Sequence, residues 1–289
     1  MGKIRSAGEA VNSFFAGFAV AGLDGSGDSI RVMPRVRIVT YNIAHGRGLA
    51  PIQGITTRRR IRATLLKIAR LLAELQPDVV ALQEIDENSR WAGNFDHLEF
   101  LREFGGFEHS VFGINNRRAG LLNLSYGNAI LSRHPITEWE NIAFGQSQVG
   151  EKGFLFAEID VHERRIPIAN MHLHYRSREH RFAQVDRFLA YLRDKQRDRH
   201  HHWAVPPVVC GDLNNTHHAS DATATLLSHL HDYGDYTLHP ATGRTFPSPL
   251  PSRTLDFVFL PPGARQAESQ IVRSYLSDHR PVVVDFDVA

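Results

Sequence analysis

The sequence predicts an α/β fold built from two packed sheets that are covered by helices. Short apolar runs typical of buried strands recur along the chain, and several end abruptly in an amide or a carboxylate. Two longer segments have helical periodicity instead, and one lies in each half of the chain. The chain shows no repeat of fixed period and no second composition regime, so we expect one folded domain over residues 35–289.

Residues 1–34 are expected to form an N-terminal arm outside this domain. Residues 22–29 are rich in Gly, Asp and Ser, which is typical of a linker. The preceding apolar stretch, residues 14–21, is similar to a short signal peptide, but Glu9 interrupts the approach to it. We therefore expect a cytoplasmic protein, with export through the signal-like segment as the alternative.

The composition excludes several classes of protein. The 289 residues include 33 basic and 31 acidic side chains, and the formal net charge of +2 is unlike that of a dedicated nucleic-acid-binding protein. Cys210 is the one cysteine of the chain, which excludes an intrachain disulfide and a cysteine-based zinc site. No apolar run approaches the ~20 residues that cross a bilayer.

The first elements set a pattern of buried strands with polar tips. The first predicted strand, residues 37–42, is rich in β-branched residues and ends at Asn42. From Arg58 the chain is predicted to be helical, because apolar residues recur at helical spacing while arginines occupy other positions. The next strand, residues 78–84, is a continuous apolar run that ends at the carboxylate of Glu84.

Three further strands are predicted at residues 126–133, 154–161 and 165–174. The last two are close in sequence and should pair as antiparallel neighbours. In the last strand Asn170, His172 and His174 alternate with apolar residues, so they share one face. Two histidines at this spacing could bind zinc, but we favour an arrangement in which His172 faces a substrate oxyanion.

Two more helices and a stiff segment follow. An amphipathic helix is predicted over residues 179–196, and a short one over residues 226–230. Residues 245–251 contain three prolines, which is typical of a rigid crossover. The inward-facing positions of the longer helix are Phe182, Val185, Leu189 and Leu192.

The second half of the chain carries three motifs with carboxylates. The apolar run at residues 208–210 leads into Asp212 and Asn214. Asp256 lies within an apolar strand, where a carboxylate is costly unless it is hydrogen-bonded, so an imidazole is its natural partner. Asp278 and His279 are adjacent, and neighbouring side chains of an extended chain point to opposite faces. This pair therefore suits one residue that reaches a metal and one that reaches water.

These motifs occur in a fixed order, G-D-L-N at residues 211–214, L-D-F-V-F at 255–259 and S-D-H-R-P at 277–281. Together they resemble the endonuclease/exonuclease/phosphatase superfamily of metal-dependent phosphoesterases, which includes AP endonucleases, deoxyribonuclease I, inositol polyphosphate phosphatases and neutral sphingomyelinases. The resemblance implies a four-layer α/β sandwich, with two packed, mostly antiparallel sheets, helices outside and an active site at one edge. It also implies a phosphodiesterase or phosphatase that uses Mg²⁺ or Mn²⁺ and an activated water.

The resemblance further implies a role for each matching residue. Asp212 and Asn214 match the pair that orients the attacking water and binds phosphate, and the proton acceptor is either Asp212 or His279. Asp256 matches the carboxylate that supports His279, and His172 matches a histidine that contacts the scissile phosphate. The remaining roles are metal binding by Glu84, Asn42 and Asp278, and substrate contact by Asn42, His172, Asn214 and Asn128.

One position departs from the DNA-repair branch of the family. AP endonucleases carry an aspartate two positions after the amide that Asn42 matches, and this chain has Ala44 there. We therefore expect a phospholipid or a small phosphorylated molecule as substrate, with DNA or RNA as the alternative. A nuclease would use the arginine-rich helix from Arg58 as a basic groove, whereas a lipid-directed enzyme would present Phe144 and Phe154 near the metal.

Two other classes stay open as alternatives. One is a zinc hydrolase based on His172 and His174, and the other is a catalytically silent binding module. A silent module should show gaps among the metal and base positions, and Ala44 is the single gap in the sequence. We expect a monomer whose partner is its phosphoester substrate, with no obligate protein partner.

Overall fold

The computed structural model describes residues 34–120, 123–145, 151–197, 203, 205–217 and 220–288, so nearly all of the predicted N-terminal arm lies outside it. Within these ranges no helix is long and apolar enough to cross a membrane. The helices are α1 (Arg58–Leu75), α2 (His97–Gly105), α3 (Arg178–Arg197) and α4 (Ala222–Leu230). The strands are β1 (Arg35–Asn42), β2 (Val79–Asp86), β3 (His109–Arg118), β4 (Leu124–Ser132), β5 (Ile136–Ala143), β6 (Gly153–Val161), β7 (Arg164–His172), β8 (Val208–Asp212), β9 (Thr237–His239), β10 (Asp256–Leu260), β11 (Ala264–Ile271) and β12 (Val282–Val288).

The strands form two sheets of six strands each. The first sheet has the order β11-β12-β1-β2-β4-β3, and the second has the order β5-β6-β7-β8-β10-β9. Each sheet contains one parallel pair, β1 with β2 and β7 with β8, and the other pairings are antiparallel. The predicted α/β fold of two packed, mostly antiparallel sheets is confirmed, and β6 and β7 pair as the sequence predicts.

Three apolar layers hold the sheets and helices together. Ile38 of β1 and Ile168 of β7 belong to one buried cluster, which fills the space between the sheets. Successive side chains of a strand point to opposite faces, so alternate residues pack outward against the helices. Val39 clusters with the apolar face of α1, and Val209 clusters with that of α3. The layers follow the order helix, sheet, sheet, helix that the family resemblance implies.

α1 begins where its sequence predicts and ends close to Pro77. Thr57 caps the first turn, because its side chain accepts a hydrogen bond from the backbone N–H of Arg60. Gln76 ends the helix in the left-handed conformation, with φ of 51°. The apolar face between these caps is fully buried against the first sheet.

α3 differs from its prediction at one position. Phe182, which we expected to face inward, is half-buried and lies under the guanidinium of Arg178, 4.8 Å from the ring centre. Phe188 takes a fully buried position instead. In the first turn of α3 the inward-facing residue is Arg181, whose guanidinium pairs with Asp221. This buried ion pair takes the space that a second large apolar side chain would need.

Buried amides join the two sheets across the core. Gln83 Nε2 of β2 donates to Asn170 Oδ1 of β7 at 2.7 Å. Asn170 Nδ2 in turn donates to two backbone carbonyls of the first sheet, at 2.9 Å each. Asn128 is fully buried, and its Nδ2 donates to the carbonyls of Gly153 and Asn170 in the second sheet. Asn128 thus joins the two sheets, and the substrate contact predicted for it stays a prediction.

Two aromatic residues proposed for a lipid-facing loop belong to the core. Phe154 at the start of β6 is fully buried, and Phe144 is half-buried with its ring 5.8 Å from that of Phe154. Two arginines of α1 are also accounted for by packing. Arg58 and Arg62 lie over the ring of Phe95, at 5.5 and 5.3 Å from its centre.

Candidate active site

The candidate active site lies at one edge of the sandwich, where central strands of both sheets end. In the first sheet β1 and β2 are parallel, so Asn42 and Glu84 come to the same edge. β12 is antiparallel to β1 and starts with Val282 opposite Thr40. The residues just before β12, including His279, therefore reach that edge as well.

The second sheet delivers its polar residues to the same place. β7 and β8 are parallel, which puts His172 opposite Asp212. β10 is antiparallel to β8 and begins with Asp256 opposite Asp212. The sheets meet through Asn42, whose Nδ2 donates to Asp212 Oδ2 at 3.0 Å. Strand ends from both sheets thus form one site.

Asp212 is the centre of a buried group of side chains. Its Oδ2 lies 3.4 Å from His172 Nε2 and 3.6 Å from His279 Nε2. Its Oδ1 accepts the backbone N–H of Asn214 at 2.9 Å. Burial raises the pKa of Asp212 to about 7, although the charge of His279 opposes this shift. We call this group the Asp212 cluster: Asn42, His172, Asp212, Asp256 and His279.

His279 is held by the carboxylate that the sequence places in β10. Its Nδ1 lies 2.9 and 3.1 Å from the two carboxylate oxygens of Asp256, and the ring of Phe246 packs against it at 4.8 Å. Burial lowers the pKa of His279, but the charges of Asp256 and Asp212 outweigh burial and raise the pKa to about 10. The imidazole is therefore cationic at neutral pH, with Nε2 directed toward Asp212.

Glu84 lies at an irregularity of β2. The pairing of β2 with β4 shifts between Gln83 and Ile85, and the backbone of Glu84 has φ of 54°. A bulge re-aims a side chain, and Glu84 is the one half-buried residue of an otherwise buried strand. Its Oε1 accepts from Lys152 Nζ at 3.1 Å, and its Oε2 lies 3.6 Å from His45 Nε2. We call the group His45, Glu84, Asp86 and Lys152 the Glu84 cluster.

Positive charge keeps Glu84 ionised and His172 neutral. Burial raises the pKa of Glu84, but the charges of Lys152 and His45 outweigh it and lower the pKa well below its usual range. Burial and the charge of Lys152 lower the pKa of His172 well below 6.5. Lys152 Nζ lies 3.3 Å from His172 Nδ1, and an ammonium can only donate. Nδ1 is therefore the acceptor, and Nε2 of His172 carries the proton.

Three residues of the Glu84 cluster were not predicted from the sequence, and they are His45, Asp86 and Lys152. His45 Nδ1 lies 2.6 Å from Asp86 Oδ2, and Asp86 Oδ1 accepts from Trp91 Nε1 at 2.7 Å. Burial lowers the pKa of His45, but the charge of Asp86 outweighs it and raises the pKa. Lys152 directly precedes β6, whose first residue pairs with His172. Asp86 ends β2 and so fits the pattern of a polar group at a strand end, whereas His45 and Lys152 lie outside the strands.

Asp278 is held in the loop before β12. Its Oδ2 pairs with Arg47 Nη2 at 2.6 Å. The proline-rich segment at residues 245–251 braces this loop, because Ser248 donates from its backbone N–H to the carbonyl of Asp278 at 2.7 Å and from its hydroxyl to the carbonyl of Ser277 at 2.6 Å. The rigid segment predicted there therefore supports the site.

Two predicted residues make local contacts. The Nδ2 of Asn214 donates to the carbonyl of Leu173 at 2.9 Å, and its backbone has φ of 55°. His174 lies beyond the end of β7, and its Nδ1 accepts the backbone N–H of Ser177 at 2.9 Å. The shared face predicted for His172 and His174 does not form, because β7 stops at His172. This corrects the zinc alternative.

The donor set of the site fits a hard divalent cation. Glu84 and Asp278 offer carboxylate oxygens, the ligands that Mg²⁺ and Mn²⁺ prefer. Each of them contacts a cationic side chain, Lys152 at 3.1 Å and Arg47 at 2.6 Å, so both positions favour positive charge. Asp212, Asp256 and His279 bring one side-chain nitrogen or oxygen each within 4.8 Å of one another, but a cationic imidazole has no free nitrogen lone pair for a metal.

Comparison with known protein sequences agrees with this geometry. The Endonuclease/Exonuclease/phosphatase family matches residues 39–279 of the chain. The uncharacterized protein YbhP of Escherichia coli (strain K12) is 24% identical over 243 residues, which are 80% of this chain and 90% of that protein.

Solved structures share the fold. An endonuclease/exonuclease/phosphatase from Beutenbergia cavernae superposes with a TM-score of 0.66 and 21% identity, over 88% of this chain and 72% of that one. Sphingomyelinase C from Streptomyces griseocarneus has a TM-score of 0.63 and 20% identity, over 87% of this chain and 99% of that one. Mannosyl-6-phosphatase Bt3783 from Bacteroides thetaiotaomicron has a TM-score of 0.64 and 14% identity, over 87% of this chain and 99% of that one. Since the family match spans both clusters of the site, the chain belongs to the Endonuclease/Exonuclease/phosphatase family.

Proposed function

We propose that this protein is a phosphoester hydrolase, a phosphodiesterase or phosphatase, that depends on Mg²⁺ or Mn²⁺ and uses water as its nucleophile. The observation that carries the proposal is the convergence of three groups on Asp212 Oδ2. The Asn42 amide lies at 3.0 Å, and the imidazoles of His172 and His279 lie at 3.4 and 3.6 Å. Phosphoester hydrolysis needs a base for water and donors for the phosphoryl oxygens, and this convergence supplies both.

Asp212 is the group that accepts the proton of the attacking water. A general base is most effective when its pKa is near the working pH, and burial raises the pKa of Asp212 to about 7. His279, with its pKa raised to about 10, already carries a proton and so is a poor base. Its cationic ring instead stabilises a phosphoryl oxygen and can return a proton to the leaving oxygen.

Asn42 and His172 supply neutral donors beside that base. The N–H groups of Asn42 Nδ2 and His172 Nε2 are directed at Asp212 Oδ2. A phosphate bound between them would accept both hydrogen bonds. Asn214 positions the base, because its backbone N–H fixes the other oxygen of Asp212 at 2.9 Å.

Glu84 and Asp278, with Asn42 beside them, would hold the divalent cation. When bound, the cation neutralises charge on the phosphate and lowers the pKa of water. Both carboxylates are kept in place by neighbouring groups, Glu84 by the bulge of β2 and Asp278 by the braced loop.

The substrate we propose is a phospholipid or a small phosphorylated molecule. Ala44 occupies the position where the DNA-repair branch carries an aspartate, which favours another substrate class. The names of two structural relatives, a sphingomyelinase and a mannosyl-6-phosphatase, also favour lipid and small-molecule phosphoesters.

The test is hydrolysis of bis-p-nitrophenyl phosphate, p-nitrophenyl phosphate, sphingomyelin and abasic-site DNA, each with Mg²⁺ or with EDTA. Glu84→Ala is compared with Glu103→Ala, an exposed carboxylate of α2 that serves as the control. We expect Mg²⁺-dependent turnover that falls at least about 100-fold in Glu84→Ala, because a charge-stabilising group is lost, and is unchanged in Glu103→Ala.

The preferred substrate would identify the branch of the family. Absence of turnover on every substrate, together with no Mn²⁺ binding in calorimetry, would refute the proposal and favour a binding module. Turnover that persists in EDTA would refute its metal dependence.

A further inference from the structure

Several loops lie at the site edge of the sandwich, and we call four of them the rim loops. Arg47 of the first pairs with Asp278 of the fourth at 2.6 Å. Ser248 of the third donates to the carbonyl of Ser277 in the fourth at 2.6 Å. The rim loops are residues 43–57 between β1 and α1, 173–177 between β7 and α3, 240–255 between β9 and β10, and 272–281 between β11 and β12.

The rim loops expose an unusual amount of apolar surface. In the described part of the chain eight large apolar side chains are exposed, and only Phe104 and Trp139 lie elsewhere. Isolated exposed apolar residues are ordinary, but their concentration around one site marks an interaction surface. The six on the rim loops are Leu49 (45%), Ile52 (61%), Ile55 (64%), Tyr175 (53%), Leu250 (83%) and Tyr275 (45%).

The same loops are strongly basic. They carry six arginines and a single acidic residue, Asp278, although the whole chain has a formal net charge of only +2. Asp278 is already paired with Arg47. The remaining five have no carboxylate partner within the described residues, and they are Arg176, Arg244, Arg253, Arg273 and Arg280.

Apolar and basic groups alternate on this surface. Arg176 lies over the ring of Tyr175 at 5.0 Å, and Arg273 lies over the ring of Tyr275 at 5.6 Å. An aromatic ring with a cationic partner suits the boundary between lipid headgroups and acyl chains, where one end of a side chain is apolar and the other is wet.

The rim also has room for an anionic group. A cavity of about 720 Å³ is lined by three of the unpaired arginines, and no Asp or Glu is among the described residues around it. The third of these arginines follows the catalytic His279 directly in the chain. The cavity therefore borders the loop that carries His279. The three arginines are Arg244, Arg253 and Arg280.

We infer that the rim loops dock on the surface of an anionic phospholipid bilayer, and that the substrate is a phospholipid taken from that surface. This inference rests on the proposed phosphoester hydrolase. Exposed isoleucine and leucine side chains can enter the headgroup boundary while arginines bind anionic headgroups. A nucleic acid would use the arginines but would leave Ile52, Ile55 and Leu250 in water. Charge and apolarity together therefore favour a membrane.

The test is cosedimentation of the full chain with phosphatidylcholine vesicles, with or without about one third phosphatidylglycerol, in EDTA and at low and high salt. We expect binding to the anionic vesicles that weakens at high salt. The triple variant Ile52→Ser, Ile55→Ser, Leu250→Ser should bind at least about tenfold more weakly, because the apolar contribution is lost. The double variant Arg244→Gln, Arg273→Gln should lose the preference for phosphatidylglycerol.

The matched control is the double variant Phe104→Ser, Trp139→Ser, which removes the two exposed apolar residues that lie elsewhere. It should bind as wild type does. Equal weakening in this control, or no vesicle binding by wild type, would overturn the inference.

Hydrolysis of soluble bis-p-nitrophenyl phosphate separates this inference from the proposed function. The triple serine variant should hydrolyse it at the wild-type rate, since none of its residues lies in either cluster. Vesicle binding without any hydrolysis would leave the docking surface standing and refute the hydrolase. Hydrolysis without vesicle binding would support the hydrolase and refute the docking surface.

Discussion

The Glu84 cluster and the Asp212 cluster lie at the same edge of the sandwich but balance charge differently. In the Glu84 cluster two carboxylates face the ammonium of Lys152 and the imidazole of His45. Burial lowers the pKa of His45, but the charge of Asp86 outweighs burial and raises it. In the Asp212 cluster two carboxylates share one cation, His279. The second imidazole there, His172, is kept neutral by burial and by Lys152.

Because of this difference, one sheet edge can support two kinds of chemistry. Where cations match carboxylates, Glu84 stays fully ionised, and this suits metal binding. Where one carboxylate is left in excess and buried, its pKa rises to about 7, and Asp212 becomes basic enough to take a proton from water. Burial is common to both clusters, so neighbouring positive charge is what separates the two proposed roles.

The largest expected effect comes from removing the basic carboxylate. Asp212→Asn keeps the shape of the side chain but cannot accept a proton, so kcat/KM for bis-p-nitrophenyl phosphate should fall about 1000-fold. Asp86→Asn removes one negative charge from the Glu84 cluster and should cost less than about tenfold, because the side-chain hydrogen bonds of Asp86 to described residues go to His45 and Trp91. Steady-state kinetics of both variants, with circular dichroism as a check of folding, measures the contrast. The reverse order of effects would contradict the division of roles.

An intermediate effect is expected from Asp256→Asn. The charge of Asp256 helps to raise the pKa of His279 to about 10, so its removal lowers that pKa. The cationic form is then lost at lower pH, and the alkaline fall of the rate should move toward neutrality. We expect kcat/KM to drop about 10- to 100-fold near pH 8. The pH–rate profile is the measurement, with Asp285→Asn, a carboxylate that pairs with Arg37 far from the site, as the control. An unmoved alkaline limb would exclude His279 as the titrating cation.

The smallest expected effect is on stability, from Lys152→Met. Removing the ammonium leaves the carboxylate of Glu84 without its closest cation, which should lower the free energy of unfolding by about 2 kcal/mol in EDTA. Mn²⁺ should restore much of this loss, because it binds the folded state only. Thermal unfolding with and without Mn²⁺ checks this. The control, Lys195→Met, breaks an exposed pair with Glu140 and should cost less than about 1 kcal/mol. A variant that Mn²⁺ does not stabilise would argue against a metal at Glu84.

Much of the fold was predictable from the sequence, because strands and helices differ in the period of their apolar residues. The paired strands β6 and β7 and the helix α1 follow directly from those periods. The edge on which the polar residues gather was predictable too, since Asn42, Glu84 and Asp212 each come at or near the end of an apolar run.

What the sequence could not reveal depends on contacts between distant elements. Asn128 has the same polar character as Asn42, and only the packing of the two sheets shows that one is enclosed and the other faces the site. Lys152 directly precedes an ordinary strand, and its role follows from its contact with Glu84, which lies 68 positions away in the chain. Phe182 was misplaced because the buried ion pair of Arg181 was not visible in the apolar pattern.

The hydrogen bond from Gln83 to Asn170 ties the two sheets one residue from Glu84 and two residues from His172. Neither sheet alone holds all the groups that the proposed reaction needs, so we expect activity only while the sheets are docked. Activity and the near-ultraviolet signal of the buried aromatic residues should therefore disappear at one denaturant concentration, in a single cooperative step. A site built within one loop would instead fade earlier, through local opening. The proposed activity would thus report the global folding of this molecule directly.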